Sequence, residues 1–142
     1  MYGTLDISTS GMIAQRIRLE VAAANLANKD ALLDASNSYN PYRRRQVHFA
    51  AGDPSAKTPE GRAMGVHVAQ IQINEDSLRW KRDPGHPFAI KGGPHDGYVQ
   101  VPDIDPITER INEMEALRAY EANIVAAEST KQMMAQALRL LA

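Results

Sequence analysis

The residues of this chain whose types could do chemistry are four histidines, an arginine triplet and a few spaced carboxylates and amides. His48, His67, His86 and His95 could each offer an imidazole nitrogen to a metal. No HExxH or other close ligand spacing joins them, and His86 and His95 fall in a glycine- and proline-rich loop, so no metal site is expected. Arg43-Arg44-Arg45, flanked by Tyr39, Tyr42 and Phe49, has the make-up of a phosphate-contacting patch. No second basic cluster extends it and the formal net charge is -1, so the triplet reads as a salt-bridging surface or a solvated edge strand. No nucleic-acid partner is expected. Lys91-Gly92-Gly93 lacks the flanking glycine and the following Ser or Thr of a phosphate loop.

Nucleophilic catalysis finds no cysteine and no G-x-S-x-G. Asp103 and Asp105 flank Ile104 as turn and cap residues. Asn25 and Asn28 close the first helix, where side-chain amides satisfy free carbonyls or tolerate a left-handed turn. Tyr120, Glu121 and Asn123 are polar exceptions on an apolar helix and would set register between packed helices. No catalytic residue and no cofactor is assigned, and the chain is not expected to be an enzyme.

The elements that position these residues are dominated by the last stretch, Pro106 to Ala142. It contains no glycine, and its one proline stands first, after a capping Asp105. Apolar residues recur at helical spacing: Ile107, Ile111, Met114, Leu117, Tyr120, Ile124, Ala127, Met134, Leu138 and Leu141. A helix of about 37 residues would be about 55 Å long. A globule of this size has a radius of gyration of only about 14.5 Å. The helix outgrows its own body, so something outside the chain should cover part of it. Successive steps of three around Met114 to Tyr120 resemble a stammer in a coiled coil.

A first helix is expected over Leu5 to Asn28, capped by Asp6, Ser8 or Ser10. Leu5, Met12, Leu19 and Leu26 recur every seven residues, with Ile13, Ile17, Val21 and Ala24 beside them, a wider face than a two-stranded seam needs. Arg16 and Glu20 fall within that sector as a possible ion pair. Lys29 to Asp105 is rich in Gly and Pro. Strands are expected at Arg44 to Ala50, at Val66 to Ile73 with a bulge near Ala69-Gln70, and at Tyr98 to Val101. Ala51 to Gly65 between them reads as a loop or hairpin tip.

The expected fold is therefore mainly α with a small β element: long N- and C-terminal helices packed antiparallel in a coiled-coil-like pair, plus a central β-hairpin and loop segment. Residues 1–30 together with 104–142 would form the helical domain and 31–103 the central segment. Charge is nearly balanced, with 16 basic and 17 acidic residues, which argues against general polyanion binding. No run of 18 apolar residues exists, so the chain is not expected to be membrane-embedded. Met1 to Gly11 lacks the basic region and apolar core of a cleavable signal peptide.

As a group, these residues resemble a known family. Asn25-Leu26-Ala27-Asn28 closing the first helix is similar to the N-x-A-N signature of the bacterial flagellar rod and hook axial proteins. Arg118-Ala119-Tyr120-Glu121-Ala122-Asn123, followed by Lys131 and Leu138, resembles their C-terminal helix. Pro41-Tyr42-Arg43, Gln46-Val47-His48-Phe49, Gly65-Val66-His67-Val68, Asp83-Pro84-Gly85-His86-Pro87 and Gly97-Tyr98-Val99-Gln100-Val101-Pro102 narrow the likeness to the rod branch. Asp103 departs from the Asn usual after that last Pro.

The resemblance implies a self-assembling structural subunit of the proximal rod, the shaft that carries torque for motility. It would be exported without a cleaved signal through the flagellar type III export apparatus to the periplasm-spanning basal body. Its implied partners are itself, the other proximal rod subunits, the distal rod protein and the rod-base adaptor. The implied assembly interface is Leu5, Met12, Ile13, Ile17, Leu19, Asn25, Leu26 and Asn28 of the first helix. On the last helix it is Ile111, Met114, Leu117, Tyr120, Asn123, Ile124, Met134, Leu138 and Leu141. Tyr42, Arg43, Phe49 and Val68 would make an inter-subunit β segment. The termini would be poorly ordered in the monomer and fold on assembly. The competing expectation is a non-flagellar helical-hairpin adaptor.

Overall fold

A computed structural model describes residues 2–141; Met1 and Ala142, the latter the last residue of the expected C-terminal helix, lie outside them. The chain order is α1 (Tyr2–Ala27), β1 (Arg45–Ala51), α2 (Pro59–Arg62), β2 (Val66–Ile73), β3 (Leu78–Arg82), β4 (Tyr98–Pro102) and α3 (Pro106–Leu141). α1 begins earlier than expected, so Asp6, Ser8 and Ser10 lie inside it and none is its cap. Inside a helix, short hydroxyl side chains bond back to the preceding turn. Thr9 Oγ1 donates to the Leu5 carbonyl at 2.8 Å and Ser10 Oγ to that of Ile7 at 2.7 Å. At the far end Asn28 Nδ2 donates to the Ala24 carbonyl at 2.8 Å, closing the helix as expected of that amide.

The cap of α3 is the expected one. The Asp105 carboxylate accepts from the backbone N–H of Ile107 at 3.1 Å and of Thr108 at 3.2 Å. These are two of the donors that a helix start leaves without partners. The helix runs for 36 residues, about 54 Å at 1.5 Å per residue.

The two helices run antiparallel, with Asn25 beside Glu109, Arg18 beside Glu115, and Gly11 against Asn123. On that register Tyr2 is level with about residue 132. The last eight or so residues of α3, about 12 Å of helix, extend past the start of α1.

The seam between them differs from the expected stripe. The buried or half-buried residues of α3 include Glu109, Asn112, Glu113, Ala116, Ala119, Tyr120, Asn123, Ile124, Ala127, Thr130, Met134 and Ala137. A heptad series runs through them from Glu109 to Ala137 in steps of four and three. From α1 come Ser8, Gly11, Gln15, Arg18, Ala22 and Asn25, also in heptad spacing. The seam is small and polar, and a Cβ on Gly11 would sit 2.9 Å from the Asn123 amide. Ile107, Ile111, Met114 and Val125 project on the opposite side of α3, all exposed. Hydrophobic periodicity marks a face expected to be covered from outside the chain, and α1 does leave Ile107, Ile111, Met114 and Val125 exposed. Arg16 and Glu20 do pair, at 3.6 Å, but on the solvent side of α1.

The central segment forms two two-stranded antiparallel sheets, β1-β2 and β3-β4. β2 has the expected bounds, and its pairing with β1 skips Ala69 between His48 and Phe49. That bulge carries Val66 and Val68 onto the same face as Ile71 and Ile73, opposite Val47 and Phe49, so one extra residue costs no apolar alternation. β3 was not expected. Its Leu78-Arg79-Trp80-Lys81-Arg82 alternates over a short span, with only Leu78 and Trp80 apolar. α2 was also missed; Thr58 caps it by accepting from Gly61 N at 3.1 Å. β1 and β2 lie on α1, while β3 and β4 pack chiefly on each other and on loops. Gly52 and Gly65 pin the β1-β2 end, joined by a 2.9 Å backbone bond, with φ of 89° and 83°. A Cβ on Gly65 would lie 2.5 Å from Ser10 Oγ.

Candidate functional site

Two features stand out: a buried polar node where α1, α3 and β1 meet, and an apolar surface that the chain leaves uncovered. The node is centred on Asn25, 1% exposed, and Glu109, 2% exposed. The Asn25 amide uses two donors and two acceptor positions, its full complement. Nδ2 donates to the Arg45 carbonyl at 2.8 Å and to Glu109 Oε2 at 3.0 Å. Oδ1 accepts from the Arg45 backbone N–H at 2.9 Å and from the Tyr42 hydroxyl at 3.1 Å. Arg44 Nε then donates to Glu109 Oε1 at 2.7 Å. A buried carboxylate is tolerated only with such a partner and further hydrogen bonds.

The node also reaches the second sheet. The Arg44 backbone N–H donates to Ser77 Oγ at 2.8 Å, and the Ser77 carbonyl accepts from Asp103 N at 2.8 Å. Burial pushes the Tyr42 phenol above its ordinary 10.0, opposed by the Arg45 charge and reinforced by that of Glu109. Arg45 lies over the Tyr42 ring, 5.5 Å from its centroid. A cleft of about 210 Å³ opens beside the node between Arg18, Asn25, Arg44 and Glu109. The polar groups of Asn25, Arg44, Tyr42 and Glu109 bond to one another, so the arrangement joins elements.

Two arginines of the triplet form ion pairs, Arg44 within the buried node and Arg43 outside it. Arg44 pairs with Glu109, and Arg43 Nε lies 3.0 Å from a Glu75 carboxylate oxygen. The histidines lie apart. His67 Nδ1 is 2.7 Å from the Gly52 carbonyl, His86 Nδ1 accepts from Phe88 N at 3.2 Å, and His95 stacks on Trp80 at 4.5 Å.

The residues taken as interface fall into three groups. Asn25 and Tyr42 belong to the node, and Asn28 closes α1, so their polar groups are engaged within the chain. Leu5, Met12, Ile17, Leu19 and Leu26 of α1 are half-buried, as are Tyr120, Asn123, Ile124 and Met134 of α3 and Arg43 and Val68 of the centre. Ile13, Phe49, Ile111, Met114, Leu117, Leu138 and Leu141 are exposed. Glu121, taken as a register residue, faces solvent. Exposure along α3 reaches 71% at Ile107, 64% at Val125 and 68% at Leu138. No helix among the described residues is long and apolar enough to cross a membrane. These exposed apolar residues are left uncovered by the rest of the chain.

Glu109 and Ser77 escaped sequence reasoning. Glu109 stands in the first turn of α3, where an acid is favoured by the helix dipole, and nothing local distinguishes it from such a residue. The signal that could have found it was Arg44: a cation next to a strand start needs a carboxylate if it is buried.

Known proteins resemble this chain along its whole length. A family model described as flagella basal body rod protein matches residues 5–30, and one described as flagellar basal body rod FlgEFG protein C-terminal matches residues 95–140. The flagellar basal-body rod protein FlgC of Borreliella burgdorferi is 33% identical over 150 residues, covering 99% of this chain and 97% of that protein. FlgC of Salmonella typhimurium is 36% identical over 140 residues, with coverage of 99% and 97%. FlgC of Bacillus subtilis is 32% identical over 149 residues, with coverage of 98% and 97%.

Proposed function

The chain belongs to the FlgC family of flagellar basal-body rod proteins, and we propose that it builds the proximal section of the rod through its terminal helices. It is a structural subunit of the flagellar basal-body rod, which assembles with other rod components. The non-flagellar adaptor reading falls with that membership.

The observation that carries the finer reading is the set of exposed apolar residues on α3: Ile107, Ile111, Met114 and Val125 turned away from α1, and Leu138, Leu140 and Leu141 at its end. Neighbouring copies and the other proximal rod subunits bury these residues. The distal rod protein and the rod-base adaptor contact the two ends of the stack. Residues 1–30 with 104–142 act as the tube-forming section. Residues 31–103 act as an outer section, whose Phe49, Val68, Ile71 and Ile73 resist sliding between subunits. Torque passes through side-by-side helix contacts, and the subunit reaches its place through the flagellar export channel.

The test is complementation of a strain lacking the subunit. Asp at Leu117, Ile124 or Leu138 is expected to leave export intact and abolish rod assembly and motility. Normal motility in these variants would remove the positions from the interface.

A further inference from the structure

We propose that the outer edge of β3 is a docking site for an extended acidic segment of another protein, which adds to the β3-β4 sheet as a third strand. The inference concerns the central segment and does not rest on which neighbours cover the helices. In an antiparallel pair, residues alternate between those bonded to the partner strand and those whose N–H and C=O point away from it. At the two ends of this ladder, Asp83 N donates to the Gly97 carbonyl at 2.9 Å and Asp103 N to that of Ser77 at 2.8 Å. With a period of two between those ends, Arg79 and Lys81 bond to β4, while Leu78, Trp80 and Arg82 turn their backbone groups outward.

The two outer edges of the sheet differ. That of β4 is closed by the chain itself. Tyr98 N donates to the His95 carbonyl at 3.1 Å, and the Tyr98 carbonyl accepts from Ile90 N at 3.0 Å. The Gln100 carbonyl accepts from the Tyr39 hydroxyl at 2.8 Å, and Pro102 has no N–H to offer. Along β3, no hydrogen bond among the described residues engages the outward backbone groups of Leu78, Trp80 or Arg82. All of β3 after Leu78 is exposed. Such a bare row of donors and acceptors is a template for a further strand.

Side-chain charge selects the partner. Arg79, Lys81 and Arg82 take part in no ion pair among the described residues. A second copy of β3 would set like charges beside one another and is repelled. A docked strand aligns its side chains with Arg79 and Lys81 on one face, and with Leu78, Trp80 and Arg82 on the other. The segment that fits therefore alternates carboxylates, beside Arg79 and Lys81, with apolar residues beside Trp80. The Trp80 ring is 42% exposed and stacks on His95 at 4.5 Å, 3° from parallel, which holds an apolar contact surface in place.

Trp80 is the only tryptophan, so its fluorescence reports on this edge directly. The experiment titrates the full chain, at a concentration where it is monomeric, with a synthetic peptide of about nine residues alternating Glu and Val. A saturable change in Trp80 emission is expected, with amide exchange at Leu78, Trp80 and Arg82 slowed at least about tenfold. The same peptide with Lys for Glu, or with every backbone amide N-methylated, is expected to bind at least about tenfold more weakly. Arg79→Glu combined with Lys81→Glu should reverse the preference between the Glu and Lys peptides. Arg82→Pro removes one outward N–H and leaves the β4 ladder intact, so it should weaken binding more than Arg82→Ala does. No saturable change with the Glu peptide, equal binding of its methylated form, or no reversal in the double variant overturns the proposal. A response to phosphatidylglycerol vesicles alone also overturns it, by making the basic strand a membrane contact. Rod assembly in the cell is a separate readout, so loss of the assembly reading leaves these titrations unaffected.

Discussion

Asn25 satisfies two donors and two acceptors within the chain, so its replacement is the sharpest test of the node. Asn25→Ala strands the Arg45 backbone groups and one oxygen of Glu109, and is expected to lower stability by about 2–4 kcal/mol in urea unfolding. Asn25→Asp at neutral pH should be no better than Ala, because it aims a second carboxylate at Glu109. At the surface, Asp34, Asp53 and Asp105 each sit below their ordinary 3.8, held there first by the hydroxyls of Ser36, Ser55 and Thr108. A depressed carboxylate contributes stability that is full above the unfolded value and is lost as pH falls through the folded one. Loss of these three caps is therefore expected only below about pH 3.8, and carboxyl chemical shifts followed by NMR against pH would show it. The Asp105 cap was legible because Asp-Pro before a long apolar period has one physical meaning. The node was not, because its members lie up to 84 residues apart and each has an innocent local explanation.

Among the elements, β2 and both helices could be read directly, bulge included. Val66, Val68, Ile71 and Ile73 keep a period of two only if one residue is skipped, and the pairing skips Ala69. Deleting Ala69 is accordingly expected to preserve the hairpin and change unfolding stability by less than about 1 kcal/mol, since the remaining residues alternate without a break. Deleting Gln72 instead turns Ile73 to the polar face and should cost more. β3 was missed because only two of its five residues, Leu78 and Trp80, are apolar, and its pairing with β4 bridges a long loop. The residues of the α1–α3 seam were not legible for a deeper reason. An apolar stripe reports which face must leave water, and it carries no information about whose surface will cover it. Here Gly11 and Asn123 meet closely between α1 and α3, while Ile107, Ile111, Met114 and Val125 stay exposed. Truncation after Met134 should therefore leave the unfolding midpoint of the monomer nearly unchanged while abolishing incorporation into rods.

At the scale of the whole molecule, the buried apolar core among the described residues is small: Ala14, Ala22, Val99, Ile104 and Ala116. Such a core is meagre for 142 residues, and it matches a subunit whose burial is completed by its neighbours. The chain has no native cysteine, so single cysteines report accessibility without a background. Ile111→Cys and Val125→Cys test the central claim most directly, compared with Arg16→Cys on the solvent side of α1. Maleimide labelling would be timed for the free chain and for isolated basal bodies. Fast labelling of the free chain and at least about tenfold protection at 111 and 125 in the basal body is the expected result. Equal labelling of both positions, free and assembled, would contradict the assignment of this helix face to the rod interface.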